Sequence, residues 1–540
     1  MDNETKLKYL LSEAGKSLGI SLSPEEVVID HARDKAHGDY ATNFALKYAK
    51  PLGQNPRELA QKLAGILSDP IIEKIEIAGP GFINFFLKKS SMTSLVGKII
   101  EEGDKYGQGA DKGYSINVEF VSANPTGDLH LGHTRCATVG DDVCRLYEKA
   151  GYQVTREFYL NDCGNQIEHL GHSLRCRYHE LFGEPSELYE DDYHGADIIE
   201  IAKAVKEEYG DKYLKDDEES HDFFIEYGKK AELDKIWRDM DEFGVRFTKV
   251  TKESEIRSSG VIEKTIAELK DYTYVKDGAT YLRTSQFLDD KDRPIIKSNG
   301  LYTYFAPDIA YHCDKLSRGY DLLVDVLGSD HHGYIARMKS ALMMKGYPED
   351  KLEPEFVQVV RVFKDGEEVR MSKRTGKAIT HRELVEEVGK DAVRYFFADR
   401  AASSHLDFNY NLATEQSSSN PVYYAQYAHA RCCSILQMAG SLKPNPAAEG
   451  LSNDYEMSIL KHLADFPSMI ETAAKTRSPN RVTAYIHSLA ELFHEFYSHN
   501  RVLDETNPGL SESRLALVDA VRIVLSSALD LIGVSAPSKM

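Results

Sequence analysis

The sequence predicts a multidomain α/β protein: a small N-terminal α+β domain, a doubly wound parallel sheet with an inserted helical region, and a C-terminal all-α bundle. Three observations support this prediction. The chain has 540 residues, which is too long for one hydrophobic core. A β-α-β pattern begins at residue 114, and strand patterns stop after residue 410, where long amphipathic helical patterns take over.

The N-terminal domain is predicted to span residues 1–105. Apolar residues recur at helical spacing over Thr5–Leu18, and a second helix is predicted from Pro56 to Leu67. The stretch KIEIAGPGFINFFL alternates around a Gly-Pro-Gly turn, which is typical of two paired strands. The Gly- and Asp-rich residues 103–113 then read as a linker.

The central domain is predicted to span residues 106–400. YSINVEFVSA reads as a strand, and QVTREFYL as the next one. Between them Val139, Val143, Leu146 and Tyr147 fall on one helical face. This is the β-α-β unit of a Rossmann-like, doubly wound sheet. Residues 170–270 are mostly helical and acidic in pattern and are predicted to be an insertion.

The C-terminal domain is predicted to span residues 401–540 and to be a helical bundle. Four long amphipathic segments predict it, PVYYAQYAHARCCSILQMAG, DYEMSILKHLADFPSMIETAAK, RVTAYIHSLAELFHEFYSHNRV and SESRLALVDAVRIVLSSALDLIG. Each has apolar residues at helical spacing, so each can bury one face against the others.

Charge and composition exclude little. The net charge is −20, but residues 184–220 hold 14 Asp/Glu against 4 Lys/Arg and so supply half of it. A basic groove elsewhere remains compatible with a nucleic-acid partner. No apolar run has membrane-spanning length, and the N-terminus lacks a signal-peptide pattern, which predicts a cytoplasmic protein. Seven scattered cysteines without a C-x-x-C pair predict reduced thiols and no metal site.

The first candidate site is His130-Leu131-Gly132-His133, at the corner where the first strand of the unit gives way to its helix. Backbone N–H groups and the helix dipole favour anions there, and two imidazoles add donors for phosphate oxygens. Gly132 leaves room for a flat ring against the backbone. The structural alternative is a pair of histidines that only pack the turn.

The second candidate site is the loop 370–377, RMSKRTGK, with four Arg/Lys in eight residues. Its cations, with Ser372 and a glycine, suit a clamp on a polyanion such as the phosphates of a nucleotide. It lacks the spacing of a P-loop. The alternative is a solvated basic loop.

The two sites, in this order and followed by a helical bundle, resemble the H-x-G-H and K-M-S-K-S motifs of class I aminoacyl-tRNA synthetases. Longer strings make the chain similar to bacterial arginyl-tRNA synthetases: AHGDYATNFA, AGPGFINFFL, EFVSANPTGDLHLGHTR, REFYLNDCGNQI, LGSDHHGY, DAVRYFF and NPVYYAQYAHAR. Arg370 and Arg374 depart from the second motif, and Asp128 stands where many members have proline. Relatives with such imperfect loops need bound tRNA before they activate arginine, and we expect the same here.

The resemblance implies that the enzyme activates L-arginine with ATP and transfers it to the terminal adenosine of tRNA(Arg). It also implies that the N-terminal domain contacts the tRNA elbow and that the C-terminal bundle binds the anticodon. Mg²⁺ would accompany ATP without a dedicated protein site, and a monomer is expected.

The resemblance further implies roles for particular residues. The implied catalytic residues are His130, His133, Ser372 and Lys373. Gly132, Gly328, Asp330 and Met371 would bind ATP. The implied arginine-binding residues are Glu119, Ser122, Asn124, His133, Tyr304, Asp308 and His331, with Asp308 on the guanidinium. The implied tRNA contacts are Phe82, Asn84, Tyr424, Tyr427, His429, Arg431 and Met540.

Several alternatives remain open from the sequence. The chain could be a class I synthetase for another amino acid, a small nucleotidyltransferase, or a non-catalytic tRNA-binding scaffold. Asp308 could simply cap the helix that follows it. Phe82 and Asn84 could be a core aromatic and a strand-turn residue rather than tRNA contacts.

Overall fold

The computed structural model describes residues 3–32, 37–369 and 379–540. In those ranges, no helix is both long enough and apolar enough to cross a membrane. The loop 370–377 lies outside them, so the predicted roles of Met371, Ser372 and Lys373 concern residues beyond the described ranges.

The N-terminal domain packs helices on an antiparallel sheet. Its elements are α1 (Asn3–Ser17), β1 (Asp30–His31), β2 (Tyr40–Thr42), α2 (Phe44–Ala49), α3 (Pro56–Ile66), β3 (Ile72–Ala78), β4 (Phe82–Leu87) and α4 (Lys89–Glu102). The strand order is β1-β2-β4-β3. Both helices and the hairpin predicted from the sequence are present. Asn55 caps α3 through its side chain, which accepts from the N–H groups of Arg57 and Glu58.

A five-stranded parallel sheet forms the centre of the molecule. Its strands lie in the order β12 (Leu352–Val357), β11 (Leu322–Gly328), β5 (Ser115–Glu119), β6 (Gln153–Leu160) and β7 (Lys249–Lys252). Its first unit is β5 (Ser115–Glu119), α5 (Leu131–Lys149) and β6 (Gln153–Leu160). The four apolar residues predicted to share one face of α5 are all buried. Because β6 and β11 lie on opposite sides of β5, the order in which strands are added to the sheet reverses at β5, and a crevice opens there at the carboxyl ends of the strands.

The helical segment between β6 and β7 (Lys249–Lys252) consists of α6 (Asn165–Glu180), α7 (Ala196–Tyr209) and α8 (Glu218–Glu242). It has a small core of its own, which includes Leu174, Tyr178 and Phe224. β7 lies inside the predicted insertion range 170–270 but pairs in parallel with β6 as the edge of the central sheet. An exposed four-residue strand rich in lysine and threonine gives too short a signal to be separated from the helices around it.

The second half of the central region adds the remaining strands and two small sheets. Its elements are α9 (Glu253–Ser258), α10 (Val261–Glu268), β8 (Thr273–Lys276), β9 (Ala279–Leu282), β10 (Arg293–Ile296), α11 (Phe305–Ser317), β11 (Leu322–Gly328), α12 (His332–Met344), β12 (Leu352–Val357), β13 (Val360–Lys364), β14 (Glu367–Val369), α13 (His381–Val388), α14 (Lys390–Ala398), β15 (Leu406–Asn409) and α15 (Tyr410–Thr414). The small sheets have the orders β10-β9-β8 and β14-β13-β15.

The C-terminal bundle has one helix more than the four predicted. It consists of α16 (Pro421–Met438), α17 (Asp454–Ala464), α18 (Phe466–Lys475), α19 (Asn480–His499) and α20 (Pro508–Leu531). The second predicted segment is split at Asp465 because Pro467 stands in the first turn of α18. Proline lacks an N–H and clashes with the preceding turn, so it starts a helix more readily than it continues one.

A buried ion cluster joins the bundle to the central sheet. The Arg394 guanidinium donates to Asp141 and Asp142 of α5, at 2.6 Å each, and to the Ile532 carbonyl just after α20, at 2.8 Å. All three side chains are fully buried. Removing one partner from such a cluster would leave an uncompensated charge, so the bundle and α5 are fixed to each other.

Candidate functional site

A cavity of about 560 Å³ opens at the carboxyl ends of the parallel strands, beside β5. Its walls are the ends of three strands and the loops that continue from them. Of the residues predicted for the site, it contains Glu119, Ser122, His130, Gly132, His133, Gly328, Asp330 and His331. Residues that were widely separated in sequence therefore lie around one cavity at the position where doubly wound sheets bind ligands.

His130 and His133 form a stacked pair at the start of α5, with ring centroids 3.8 Å apart. The Nδ1 of His130 accepts from the Gly132 N–H at 3.0 Å, and the Nδ1 of His133 accepts from the His130 N–H at 3.3 Å. Burial lowers the pKa of both, that of His133 to about 4. Each ring is therefore neutral at pH 7, with its proton on Nε2 as a hydrogen-bond donor.

Glycine at position 132 leaves space for the side chain of His130. A Cβ at this position would lie 2.8 Å from Cε1 and 3.0 Å from Nδ1 of the folded-back His130 ring. The glycine thus makes space for a histidine of the site, a reason that differs from the predicted approach of an adenine ring.

The loop after β5 is held in an unusual backbone conformation. Val121 and Ser122 both have positive φ, 67° and 41°, although neither is glycine. The Ser122 hydroxyl donates to Glu119 Oε1 at 2.9 Å and accepts from the Tyr159 N–H at 3.1 Å, which fixes this turn. Two adjacent residues in this sparsely populated region are typical of a functional loop that its surroundings hold in place.

The opposite wall of the cavity follows β11. A Cβ on Gly328 would lie 2.5 Å from Asp330 Oδ1, so a side chain at this position would displace the Asp330 carboxylate from its place at the cavity rim. Asp330 and His331 are exposed, and their side chains approach each other at 3.6 Å. A ligand in the cavity can thus reach both.

Asp308 lies in the first turn of α11, beyond the cavity wall. The helix begins at Phe305 with Tyr304 at the cap position, so the alternative that Asp308 is an N-cap is wrong. The Tyr334 hydroxyl donates to Asp308 Oδ2 at 3.1 Å, and the Tyr334 ring contacts His331 of the cavity. Burial, with nearby carboxylates adding to it, raises the pKa of Asp308 to about 6.

Glu119 has a different electrostatic role from Asp308. The fully buried Lys315 pairs with Glu119 and, at 3.0 Å, with Asp325 of β11. The same Asp325 binds His312 at 2.8 Å. The charges of Glu119 and Asp325 are thus balanced by the buried Lys315 of the protein itself. Asp308, in contrast, has no ion pair among the described residues.

The described residues that follow the second motif contact the first motif. Thr380 forms a β-bridge with His130, and the His381 N–H donates to the Leu129 carbonyl at 2.7 Å. The Thr134 hydroxyl and His381 Nδ1 are 3.0 Å apart. The loop 370–377 itself lies outside the described residues, but its C-terminal flank lies against the first motif.

Like Asp308, two further residues predicted for the arginine pocket lie apart from the cavity lining. Asn124 is exposed and donates to Gln166 Oε1 at 2.6 Å. Tyr304 is 79% exposed. In this conformation both side chains lie outside the predicted pocket. Each belongs to a loop, and a sequence motif does not specify where a loop residue lies on the surface.

The predicted tRNA contacts of the N-terminal domain separate into two kinds. Phe82 is 41% exposed, which excludes the core-aromatic alternative. Asn84 is 3% exposed and lies in β4 opposite Ala41 and Glu76. The predicted contact of Asn84 is therefore not supported, since its side chain is buried.

On the bundle, Arg431 lies between Tyr427 and Tyr497, with its guanidinium carbon 5.1 Å from each ring centroid. Tyr424 packs against His494, at 4.6 Å between centroids. The predicted tRNA contact of His429 would require a surface position, which this residue does not have in the structure. It is buried, and its Nδ1 binds the Pro537 carbonyl at 2.9 Å, so it anchors the C-terminal segment. Met540, at the end of that segment, is 54% exposed.

Sequence reasoning missed several residues of the site. The strand-end segment 357–360 and Cys136 line the cavity, while Tyr334 and Lys315 control its carboxylates. The one available signal was that VQVV follows a parallel strand and so ends at the same sheet edge. Nothing in the sequence marks Lys315 as the partner of Glu119.

Comparison with known proteins agrees with this architecture. Residues 5–87 match the family model for the arginyl tRNA synthetase N terminal domain, 95–432 that for the class I (R) tRNA synthetase catalytic domain, and 425–540 that for the DALR anticodon binding domain. Among curated relatives, arginine–tRNA ligase 2 of Bacillus thuringiensis subsp. konkukian is 47% identical over 100% of both chains. Arginine–tRNA ligase of Bacillus subtilis is 48% identical over 95% of this chain and 94% of that one.

Among solved structures, the arginyl-tRNA synthetase of Thermus thermophilus superposes with a TM-score of 0.79 over 100% of both chains, at 21% identity. At that identity the likeness concerns the fold. A methionyl-tRNA synthetase of Mycobacterium tuberculosis reaches a TM-score of 0.52 over 77% of this chain and 91% of that one, at 13% identity. The three-part architecture of the chain is thus shared with the first structure more fully than with the second.

Proposed function

Because the chain belongs to the arginyl-tRNA synthetase family, it is an ATP-dependent arginine–tRNA ligase, and we propose how its own residues perform that reaction. The observation that carries the proposal is the single cavity at the strand ends, where residues of both halves of the sheet meet. The alternatives of another amino-acid specificity and of a scaffold without activity are set aside by the relatives.

In the first step the arginine carboxylate attacks the α-phosphorus of ATP, a P–O bond to pyrophosphate breaks, and arginyl-adenylate forms. We assign His130 and His133 to donate from Nε2 to phosphate oxygens as charge develops. Their Nδ1 atoms are occupied by backbone N–H groups, so the donors are fixed before ATP arrives. Preorganised donors of this kind stabilise a transition state without reorganisation.

The remaining ATP contacts follow from the walls of the cavity. Gly132, Gly328 and Asp330 line it and are proposed to face the nucleoside. Ser372, Lys373 and Met371, with Arg370 in place of the motif's first lysine, are proposed to close over the leaving pyrophosphate. This assignment rests on the sequence motif and on the contact of its flank, Thr380, with His130.

Mg²⁺ is proposed only as the counter-ion that ATP brings with its phosphates. The part of the chain that the structure describes holds no group of three or more His, Cys, Asp or Glu side chains placed for a metal ion.

For arginine, Asp308 is proposed to bind the guanidinium. A planar cation with paired N–H donors suits a carboxylate, and Asp308 is oriented by Tyr334 but forms no ion pair among the described residues. Glu119 already pairs with Lys315, so we propose that it acts by holding Ser122 toward the amino-acid end. His331 already lines the cavity, whereas Asn124 and Tyr304 would have to move inward to contact arginine, and they are proposed to do so on binding.

In the second step a hydroxyl of the terminal adenosine attacks the arginyl carbonyl and releases AMP; class I membership favours the 2′-hydroxyl. Phe82, Tyr424, Tyr427, Arg431 and Met540 are proposed to contact tRNA. Tyr427 and Arg431 offer a stacking face and donors for unpaired bases. We also propose that activation requires bound tRNA, because the basic loop departs from the family motif at Arg370 and Arg374.

The location, the oligomeric state and the domain limits are likewise proposed: a cytoplasmic monomer, with domains 1–105, 106–400 and 401–540. Gel filtration with light scattering tests the monomer directly. A stable dimer would contradict it.

Pyrophosphate exchange with purified protein, measured for each amino acid with and without tRNA(Arg), tests the function and the assignment. Exchange is expected with arginine alone among amino acids, and only with tRNA present. His133→Ala should lower kcat about 10²- to 10³-fold, as removal of one oxyanion donor does, and should leave tRNA affinity unchanged. His221→Ala on the exposed face of α8 is the matched control. A His133→Ala enzyme with normal kcat would refute the role of the pair.

A further inference from the structure

Helix α8 of the insertion contacts both ATP-binding segments with one face. Glu232, Lys235 and Asp239 recur at spacings of three and four residues along it, and Phe243 follows just past its end. Residues at these spacings lie above one another on a helix surface. The face they form is directed toward the loop before α5 and toward α13.

The contact with the first segment is an ion pair. Lys235 Nζ lies 3.1 Å from Asp128 Oδ1, 2.7 Å from Glu232 Oε2 and 3.7 Å from Asp197 Oδ2 of α7. Glu232 is fully buried and Lys235 is mostly buried. The carboxylates of Glu232 and Asp197, which belong to the insertion, therefore fix the Lys235 ammonium group in place. In the catalytic region this ammonium group contacts Asp128.

Asp128 is two residues before His130, and the other side of this short segment is held as well. The His381 N–H donates to the Leu129 carbonyl at 2.7 Å, and Thr380 bridges to His130. The residues that lead into the histidine pair thus lie between Lys235 and the chain that follows the second motif. This arrangement accounts for an aspartate that the family resemblance left without a role.

The contact with the second segment uses the next turns of α8. Arg382 in the first turn of α13 forms an ion pair with Asp239. The Phe243 ring packs edge-on against His381, with centroids 4.8 Å apart. One rigid helix thus reaches the residues that adjoin each ATP-binding motif.

We propose that α8 positions the two ATP-binding segments relative to each other for arginine activation, with Lys235 acting through Asp128 and Asp239 acting through Arg382. The inference rests on the proposed roles of His130 and His133. It gives the insertion a part in the chemical step, since displacement of a catalytic group by about 1 Å can lower a rate about 100-fold.

The first experiment replaces Asp128 by asparagine, which keeps its size and removes its charge. In tRNA-dependent pyrophosphate exchange, Asp128→Asn should lower kcat about 10-fold, with KM for arginine and affinity for tRNA(Arg) unchanged. Lys230→Met is the matched control, because Lys230 lies on the same helix and pairs only with the exposed Asp234 among the described residues. Asp128→Asn with normal kcat would overturn the proposal.

A double-mutant cycle shows whether Lys235 acts through Asp128. Lys235→Met alone would leave Glu232 buried and unpaired, so the partner variant is Glu232→Gln/Lys235→Met, with folding checked by thermal unfolding. This variant should also lose about 10-fold in kcat, and adding Asp128→Asn should cause no further loss. Lys235→Arg should retain most of the rate. Losses that multiply would show independent effects and contradict the mechanism.

His133→Ala, assayed in the same series, separates the two proposals. If His133→Ala keeps the wild-type rate, the assignment of the histidine pair fails, and the inference fails with it. If His133→Ala is inactive while Asp128→Asn and Glu232→Gln/Lys235→Met match the wild type, only the positioning role of α8 is refuted.

Discussion

Replacing Gly132 by alanine should impair catalysis without destabilising the protein. The added Cβ would lie 2.8 Å from His130 Cε1, whereas carbon atoms normally approach to about 3.5 Å. The ring must therefore retreat by about 0.7 Å, and its 3.0 Å hydrogen bond from the Gly132 N–H is strained or lost. A displacement of this size predicts a fall in kcat of about 30- to 100-fold.

The expected change in the free energy of unfolding is small, because two effects of Gly132→Ala oppose each other. Alanine is favoured over glycine in a helix by about 1 kcal/mol. Weakening the His130 cap removes a similar amount. The free energy of unfolding, from urea denaturation, should thus change by less than about 1 kcal/mol. Gly65→Ala in α3, where a Cβ would meet open space, is the control and should leave kcat unchanged.

Pyrophosphate exchange with saturating tRNA(Arg) measures the effect and distinguishes the two reasons for the glycine. If Gly132 mainly accommodates His130, kcat falls, and Gly132→Ala adds nothing once His130→Ala is present. If it mainly faces the adenine, the KM for ATP rises in both backgrounds. An unchanged kcat and KM in Gly132→Ala would refute the geometric argument.

The remaining predictions concern arginine and tRNA. Because the pKa of Asp308 is raised to about 6, the carboxylate that binds guanidinium is present above that pH and is lost as the pH falls through it. The kcat/KM for arginine should thus fall about tenfold per pH unit below pH 6, and an Asp308→Asn enzyme that keeps this profile would contradict the assignment. Phe82→Ala should weaken tRNA(Arg) binding, measured by filter retention, by about 1–3 kcal/mol with unchanged stability. Asn84→Ala, at a buried position, should instead lower the unfolding free energy, and a selective loss of tRNA affinity would restore its predicted contact.

Much of the fold was predictable because the local spacing of apolar and turn residues determines where helices and strands form. The buried face of α5, the hairpin of β3 and β4 and the start of α3 at Pro56 all follow from spacing and turn residues. The exceptions have local causes. Pro467 divides one predicted helix into two, and β7 is too short and too polar to be recognised as a strand of the central sheet.

The residues of the site were predictable where they belong to a recognisable motif. They were less predictable where the packing of other elements determines whether a residue is exposed. His130, Gly132, His133 and Gly328 line the cavity as the motifs imply. His429 does not reach the surface, because a residue's exposure depends on which element covers it. Periodicity assigns a residue to a face of a helix but does not say what packs on that face.

The sequence by itself determined the family, the order of the domains and the residue types predicted to contact ATP, because these depend on short motifs and local patterns. Only the tertiary structure decided which charges are available. It pairs Lys315 with Glu119 and leaves Asp308 free of an ion pair among the described residues. It also sets Asp128 against Lys235 of a distant helix. Electrostatic partners are chosen by proximity in space, and chain folding brings together residues whose separation along the sequence carries no signal.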